Sequence, residues 1–267
     1  MKIELDRLYS DKHIDRRVMD WFIPEAPNGD GILFIHGGGW SGGNKESWHE
    51  VAEHFSVLGY TCASAEYRLI PQTDFDGQFT DVRLAAAAFR GRAGELGYDE
   101  NRIAAVGSSA GGHLVAMLGT LHAADKLGSS PGINGELSRI NAAVCYCPVT
   151  AVYDTATIPG FFTDTVRSML GGEYTDNPEL FHLTTPVDRI DGTEPPFLFM
   201  HGDEDELVDL HHSTEMHRKL LESGGESRLV VIPGAPHGFG YGVTTEFQKL
   251  GLRHIKLFLK KNSSIKT

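Results

Sequence analysis

The fold of this chain is decided by the stretch Asn101-Arg-Ile-Ala-Ala-Val-Gly-Ser-Ser-Ala-Gly-Gly-His-Leu-Val-Ala-Met-Leu118. Residues 103–106 are a short apolar run that is typical of a buried strand, and residues 114–118 predict a helix that begins almost at once. Between them lies the pattern G-x-S-x-G, which is typical of a nucleophile elbow when a strand precedes it and a helix follows it. The alternative is an ordinary glycine–serine turn, which this strand–helix context disfavours.

The central residue of the pattern, Ser109, is the candidate nucleophile. A strand that reverses into a helix within two residues forces its central residue to a positive φ, and only small neighbours such as Gly107 and Gly111 leave room for that turn. The turn would hold the serine hydroxyl at a helix N-terminus, where the backbone N–H groups and the helix dipole favour developing negative charge.

The composition limits the class of protein. A length of 267 residues suits one large α/β domain or two small ones, and because no linker, charge block or repeat divides the chain we expect a single domain over residues 1–267. The formal net charge of −12 at pH 7 argues against nucleic acid and anionic membrane as partners. Each of the three cysteines lies in or beside an apolar run, so we expect Cys62, Cys145 and Cys147 to be small buried hydrophobic residues.

Targeting signals are not recognisable in the sequence. The N-terminus has no apolar segment of the signal-peptide kind, and no run of 18 apolar residues follows it. We therefore expect a cytoplasmic protein that binds a small molecule rather than a membrane. The sequence does not distinguish a monomer from a homo-oligomer.

Predicted strands and helices alternate along the chain. The predicted strands are residues 18–23, 31–35, 60–65, 103–106, 141–146, 196–200 and 229–232. The predicted helices include residues 48–58, 81–96, 216–221 and 247–259. This alternation predicts an α/β fold in which a mostly parallel sheet is covered by helices on both faces.

Residues 147–195 depart from that alternation. They contain short apolar pieces separated by Gly, Pro and Asp, and a connection of nearly fifty residues between two strands of one sheet is unusually long. We expect an inserted cap over the strand ends, where an α/β sheet binds its ligand. The alternative is an ordinary crossover helix with irregular loops.

A serine nucleophile needs a base, and the base needs an acid that orients it. The last two predicted strands lead into His201-Gly-Asp-Glu-Asp-Glu-Leu-Val208 and Pro233-Gly-Ala-Pro-His-Gly-Phe239, so an acidic loop and a histidine loop follow the serine in that order. This placement makes His237 the predicted base.

Three aspartates follow the same strand as candidates for the acid. Asp203 comes directly after a glycine, where a short carboxylate can satisfy the backbone of its own turn. Asp209 precedes a predicted helix and is a candidate for its N-cap. Asp205, in the middle of the loop, is left as the predicted acid.

The intermediate of acyl transfer also needs preorganised donors for its oxyanion. Glycines lack a side chain, so the N–H groups in His36-Gly-Gly-Gly-Trp40 can approach a bound ester closely. The predicted donors are the backbone N–H groups of Gly38, Gly39 and Ala110. Gly37 is expected to shape the loop and His36 to brace it, whereas the alternative is a glycine turn that leads into a helix.

The remaining histidines do not predict a metal site. His49 and His54 flank two glutamates, but zinc metalloproteases need the second histidine at i+4, and here it falls at i+5. His211, His212 and His217 lie in one helical stretch and are expected to be solvated. His113, one helical turn after Ser109, is expected to pack beneath the elbow. A serine mechanism needs neither a metal nor a cofactor, and we expect none.

Four motifs taken together resemble one family. They are His36-Gly-Gly-Gly-Trp40, Gly107-Ser-Ser-Ala-Gly-Gly-His113, His201-Gly-Asp-Glu-Asp-Glu-Leu-Val208 and Pro236-His-Gly-Phe239. In this order, and over nearly the whole chain, they resemble the small bacterial α/β-hydrolase esterases near the hormone-sensitive-lipase branch, a group that includes feruloyl and acetyl-carbohydrate esterases. The resemblance implies the α/β-hydrolase fold. For the site it implies Ser109 as nucleophile, Asp205 as acid, His237 as base, and Gly38, Gly39 and Ala110 as oxyanion donors.

Two departures from the family bear on the substrate. The longer hormone-sensitive-lipase members have an Asp where this chain has Ser108, and they carry a long N-terminal cap, whereas only about fifteen residues precede the first predicted strand here. The resemblance thus implies an open site that hydrolyses short-acyl or carbohydrate-linked esters. An arylformamidase is the first alternative, because kynurenine formamidases share the H-G-G-x-W loop and the S-A-G elbow. A peptidase and a non-catalytic small-molecule receptor on the same fold are less favoured.

Overall fold

The protein is described by a computed structural model that covers residues 1–122, 125–131, 133, 135–154, 157 and 159–263. The strands, β1 to β8 in chain order, are Lys2–Leu8, Val18–Ile23, Gly29–Ile35, Thr61–Ala65, Tyr98–Ser108, Ala142–Tyr146, Phe197–Gly202 and Ser227–Ile232. The helices, α1 to α9, are His49–Val57, Phe75–Gly91, Ala93–Leu96, Ala110–Gly119, Gly135–Ser138, Gly160–Leu170, Pro178–Leu183, His211–Glu222 and Glu246–Ser263.

In the described part of the chain the strands form one eight-stranded sheet in the order β1-β2-β4-β3-β5-β6-β7-β8. Every pair from β4 through β3 to β8 is parallel, whereas β1–β2 and β2–β4 are antiparallel. The carboxyl ends of β5, β7 and β8 therefore lie at one edge of the sheet. This brings together the three loops that carry Ser109, Asp205 and His237.

Both faces of the sheet are buried, as the continuous apolar strands predict. In β3, Leu33 and Ile35 join the hydrophobic core on one face, and Ile32 and Phe34 join the core on the other face. All four side chains are 0 % exposed. The predicted α/β-hydrolase architecture, a mostly parallel sheet between two layers of helices, is confirmed.

One strand was not predicted from the sequence, and one predicted helix has different bounds in the structure. β1 is a largely exposed edge strand, so its residues lack the apolar run that reveals a buried strand. The predicted helix at 81–96 is two helices, and α2 begins six residues earlier, because Asp74 accepts a hydrogen bond from the N–H of Gly77 at 2.9 Å and caps it.

Residues 147–195 contain helices α6 and α7 and a 3-10 turn at Pro186–Asp188. The segment packs against residues 36–40, called the glycine loop below. The ring of Phe162 lies 2.4 Å from the position that a Cβ on Gly39 would occupy. The role of this segment as a cap and the single-domain organisation stay predictions. None of the helices in the described ranges is long and apolar enough to cross a membrane.

Candidate active site

The elbow at Ser109 has the strained turn that its sequence predicts. Ser109 lies between β5 and α4 with φ 56° and ψ −121°, and its N–H donates to the carbonyl oxygen of Tyr146 at 2.9 Å. Both flanking glycines are required by close backbone contacts. A Cβ on Gly107 would lie 2.2 Å from the oxygen of Gly111, and a Cβ on Gly111 would lie 2.3 Å from the oxygen of Ile35.

Ser108 and Ser109 have different surroundings although they are adjacent. Ser108 is 0 % exposed, and its Oγ lies 3.8 Å from the Sγ of Cys147, so its side chain points into the interior. Ser109 is 7 % exposed and forms the apex of the turn. Only the second serine is therefore placed to meet a ligand.

The predicted acid and base are in contact. Nδ1 of His237 lies 2.8 Å from Oδ2 of Asp205. The other carboxylate oxygen, Oδ1, accepts the N–H groups of Leu207 and Val208, each at 2.9 Å. Nε2 of His201 also lies 3.3 Å from Oδ2, although its nearer acceptor is the carbonyl oxygen of Val208 at 2.9 Å. Burial alone would raise the pKa of Asp205, but these hydrogen bonds outweigh it and hold the pKa well below the usual range of a carboxyl.

The two competing aspartates have other partners. Oδ1 of Asp203 accepts the N–H of Gly234 at 2.6 Å and so links the acidic loop to the histidine loop. The expectation that Asp203 satisfies its own turn was wrong, because the closest donor belongs to the neighbouring loop. Oδ1 of Asp209 accepts the N–H of His211, the first residue of α8, at 2.7 Å. The N-cap position itself is Leu210, so Asp209 satisfies this N–H from one residue before the expected position.

His237 is half-buried at the same edge of the sheet as Ser109. Burial would lower the pKa of its imidazole, but the hydrogen bonds to Asp205 and Cys147 outweigh burial and raise the pKa above its usual value. Among the hydrogen bonds of the described residues, none joins Ser109 Oγ to His237. Contacts of this kind are often long in a ligand-free enzyme and tighten when the substrate binds.

The glycine loop after β3 has the conformation that only glycine adopts readily. Gly38 and Gly39 have φ values of +115° and +57°, and a Cβ on Gly38 would lie 2.3 Å from the oxygen of Gly42. Within the described ranges the N–H groups of these two glycines make no hydrogen bond, and Ala110 is the first residue of α4. The N–H of Gly37 is different, because it donates to the hydroxyl of Tyr241 at 2.7 Å.

His36 braces this loop, as expected. Its Nδ1 lies 2.7 Å from the oxygen of Gly37, and its Nε2 lies 3.1 Å from a carboxylate oxygen of Glu66. Tyr67 stacks on the imidazole at a centroid distance of 4.2 Å and donates its hydroxyl to the His36 carbonyl at 2.8 Å. The loop conformation thus depends on a buried network as well as on its glycines.

His113 packs beneath the elbow, as the sequence predicts. Its Nδ1 accepts the indole N–H of Trp40 at 3.0 Å, and its Nε2 lies 2.9 Å from the oxygen of Thr184. Burial lowers the pKa of this imidazole to about 4, so it is neutral and ties the glycine loop to residues 147–195.

The predicted solvation of His212 is wrong, and the proximity of Cys147 and Tyr241 to the site was not predicted. His212 is 1 % exposed rather than solvated, because its Nδ1 accepts the N–H of Thr150 at 3.2 Å and its Nε2 lies 2.9 Å from Oγ1 of Thr157. Cys147 is buried as expected, but it lies beside His237. No local pattern marks either Cys147 or Tyr241, since both reach the site through contacts between distant parts of the chain.

Comparison with known proteins identifies the family. The BD-FAE family model matches residues 19–220, about three quarters of the chain. The chain belongs to the BD-FAE family. The match includes the glycine loop, Ser109 and Asp205, whereas His237 lies beyond its end.

Curated relatives of this BD-FAE chain are esterases. It is 29 % identical over 212 residues to esterase LipC of Mycobacterium tuberculosis, with 78 % of this chain and 52 % of the relative covered. It is 31 % identical over 216 residues to the probable carboxylic ester hydrolase LipM of the same organism, with 78 % and 49 % covered. It is 23 % identical over 242 residues to an acetylxylan esterase of Xylanibacter ruminicola, with 90 % and 47 % covered. The chain thus spans about half the length of these relatives.

Solved structures similar to this BD-FAE chain share its fold. Propionate-bound esterase 2 of Thermogutta terrifontis has a TM-score of 0.78 at 24 % identity, with 97 % of this chain and 93 % of that chain covered. A truncated carbohydrate esterase from gut microbiota has a TM-score of 0.82 at 20 % identity, with 99 % and 97 % covered. At these identities the likeness concerns the fold alone.

Proposed function

We propose that the protein is a serine carboxylic ester hydrolase with Ser109 as nucleophile, His237 as base and Asp205 as acid. The 2.8 Å contact between His237 Nδ1 and Asp205 Oδ2, at the sheet edge that also carries the Ser109 elbow, is the observation that carries the proposal. The esterase relatives support it at the level of ester hydrolysis.

In the proposed reaction His237 accepts the proton of Ser109 through Nε2 while the serine oxygen attacks the ester carbonyl. The carbonyl oxygen becomes an oxyanion, which accepts hydrogen bonds from the N–H groups of Gly38, Gly39 and Ala110. The protonated imidazole then gives its proton to the departing alcohol and leaves an acyl-serine. His237 then accepts a proton from a water molecule, which attacks the acyl-serine, and returns it to the oxygen of Ser109 as the carboxylic acid leaves. Asp205 keeps Nδ1 protonated and stabilises the imidazolium.

The proposed substrates are short-acyl or carbohydrate-linked esters. The ring of Phe162 fills the space next to Gly39, and its centroid lies 6.3 Å from the centroid of the Trp40 ring. An acyl group beside the glycine loop thus meets a wall formed by the half-buried ring of Phe162, which a short chain fits and a long chain must displace. The acetylxylan esterase relative supports the carbohydrate class.

A substrate panel tests this proposal. We expect kcat/KM to be higher for p-nitrophenyl acetate and butyrate than for octanoate, and Phe162→Ala to reduce that preference by opening the wall. Acetylated xylan probes the carbohydrate-linked class, and methyl ferulate probes feruloyl esters. A preference for octanoate in the wild type would contradict the short-acyl assignment, and cleavage of N-formylkynurenine in place of every ester would favour the arylformamidase alternative.

Tyr241→Phe is expected to lower kcat by about tenfold with a smaller change in KM. The substitution removes the acceptor of the Gly37 N–H and leaves the glycine loop less well positioned for the oxyanion, which develops only in the transition state. Tyr98→Phe is the matched control. Tyr98 is the first residue of β5, at the end of the strand opposite to Ser109, and its hydroxyl donates to the carbonyl of Phe89. Equal kinetics of Tyr241→Phe and the wild type would exclude a positioning role.

The pH profile should follow His237. A protonated imidazole cannot accept the serine proton, so kcat/KM rises with pH as His237 loses its proton. Because the pKa of His237 is raised above its ordinary value, we expect the midpoint of this rise to lie above about pH 6.5. A pH–rate profile with its midpoint below about pH 6 would contradict this direction.

A further inference from the structure

Cys147 adds a third ligand-type side chain to the acid–base pair. It follows β6 with φ 37°, and its N–H donates to the carbonyl oxygen of Met200 at 2.9 Å. This turn carries a fully buried thiol close to the imidazole of His237. The thiol sulfur, one imidazole nitrogen of His237 and one carboxylate oxygen of Asp205 all lie within 4.8 Å of one another.

This combination of side chains suits a soft divalent cation. Thiolate, imidazole and carboxylate are the three ligand types that bind Zn²⁺ in proteins, and a tetrahedral zinc ion separates its ligand atoms by about 3.3–3.6 Å. To reach that spacing, His237 Nδ1 and Asp205 Oδ2, which lie 2.8 Å apart, need to separate by about half an ångström, and Cys147 Sγ needs to lie within about 3.6 Å of both. Three protein ligands would leave one coordination position for water.

The approach to the site is acidic. A cavity of about 600 Å³ opens beside His237 and is lined by Asp203, Glu204, Asp205 and Glu206. Asp203, Glu204 and Glu206 are exposed, and the chain has a formal net charge of −12 at pH 7. A cleft lined by one sign of charge raises the local concentration of ions of the opposite sign.

We propose that Zn²⁺ or Cd²⁺ binds Cys147 Sγ, His237 and Asp205 together and thereby inhibits the enzyme. The ion takes the place of the proton on Nδ1 of the neutral imidazole, which moves to Nε2, and it displaces the proton of the thiol, which passes to solvent. With a metal on Nδ1 and a proton on Nε2, the imidazole has no lone pair left to accept the proton of Ser109. The inhibitory part of this inference rests on the proposed esterase function, whereas the binding part does not.

Titration with Cd²⁺ tests the binding directly, because cadmium–thiolate coordination has an ultraviolet charge-transfer band that needs no catalysis. We expect the band to saturate at one equivalent in the wild type and to be lost in Cys147→Ala. Cys145→Ala is the matched control, since Cys145 is equally buried two residues earlier but packs in the core on the opposite face of the sheet. Cys145→Ala should keep the band. Its persistence in folded Cys147→Ala, or its absence from the wild type, would overturn the proposal.

Inhibition by Zn²⁺ is measured on the same three proteins with p-nitrophenyl acetate. We expect EDTA to restore the activity of the wild type and Cys145→Ala, and the inhibitory concentration to rise by at least about tenfold in Cys147→Ala. Mg²⁺, which prefers oxygen ligands, should not inhibit. Equal zinc sensitivity of Cys147→Ala and the wild type would overturn inhibition through this site. If no ester is hydrolysed but the cadmium band depends on Cys147, the proposed function fails while the metal site stands.

Discussion

Ser109→Ala is expected to lower kcat for ester hydrolysis by at least about 10⁴-fold while the protein stays folded. The variant has no oxygen to attack the carbonyl, so the covalent route is lost and only the oxyanion donors and substrate binding remain. Alanine occupies little space, and the backbone bond from residue 109 to the oxygen of Tyr146 does not involve the side chain. Steady-state kinetics and circular dichroism of the purified variant provide the measurement.

Ser108→Ala is the control for that substitution. The Ser108 hydroxyl is buried beside the Cys147 thiol and does not form the apex of the turn, so its loss should reduce kcat by no more than about tenfold. Comparable losses at Ser108 and Ser109 would contradict the assignment of the nucleophile.

Asp205→Asn is expected to lower kcat by up to about 10⁴-fold. The carboxylate holds Nδ1 of His237 in its protonated form at 2.8 Å. An amide in its place does not supply the negative charge that stabilises the imidazolium, and it can donate to Nδ1 and select the wrong tautomer. The protein should still fold, because the amide oxygen can accept the N–H groups of Leu207 and Val208 as the carboxylate does.

Asp203→Asn and Asp209→Asn are the controls on the same loop. Asn can still accept the N–H of Gly234 at position 203 and the N–H of His211 at position 209, because its amide oxygen replaces the carboxylate oxygen. Both variants should stay within about tenfold of the wild-type kcat. An active Asp205→Asn together with a crippled Asp203→Asn would show that the acid was assigned to the wrong residue.

The features predicted correctly were those encoded in short stretches of sequence. The continuous apolar run at residues 31–35 identified a strand buried on both faces, and the glycines around Ser109 predicted a turn with a positive φ. Asp205 was assigned from its position in its own loop and from the family resemblance, and it lies against His237. Each of these inferences used residues of one short segment, although the contact between Asp205 and His237 forms only because β7 and β8 are neighbouring parallel strands.

The features that were missed depend on contacts between distant segments. Tyr241 reaches Gly37 across 204 positions of the chain, and the solvation expected for His212 failed because Thr150, 62 positions away, donates to its ring. Cys147 was recognised as buried, but neither composition nor spacing indicates that its thiol lies beside Asp205 and His237. Such pairings follow from the assembled sheet, so a pattern read along one segment does not contain them.

Covalent labelling with a fluorophosphonate, followed by mass spectrometry of the digested protein, tests the central claim most directly. The reagent phosphonylates a serine only where a neighbouring base activates its hydroxyl. We predict one adduct per chain on Ser109, which Ser108→Ala retains and both Ser109→Ala and His237→Ala lose. An adduct on another residue, or none on an intact and folded wild-type protein, would contradict the account.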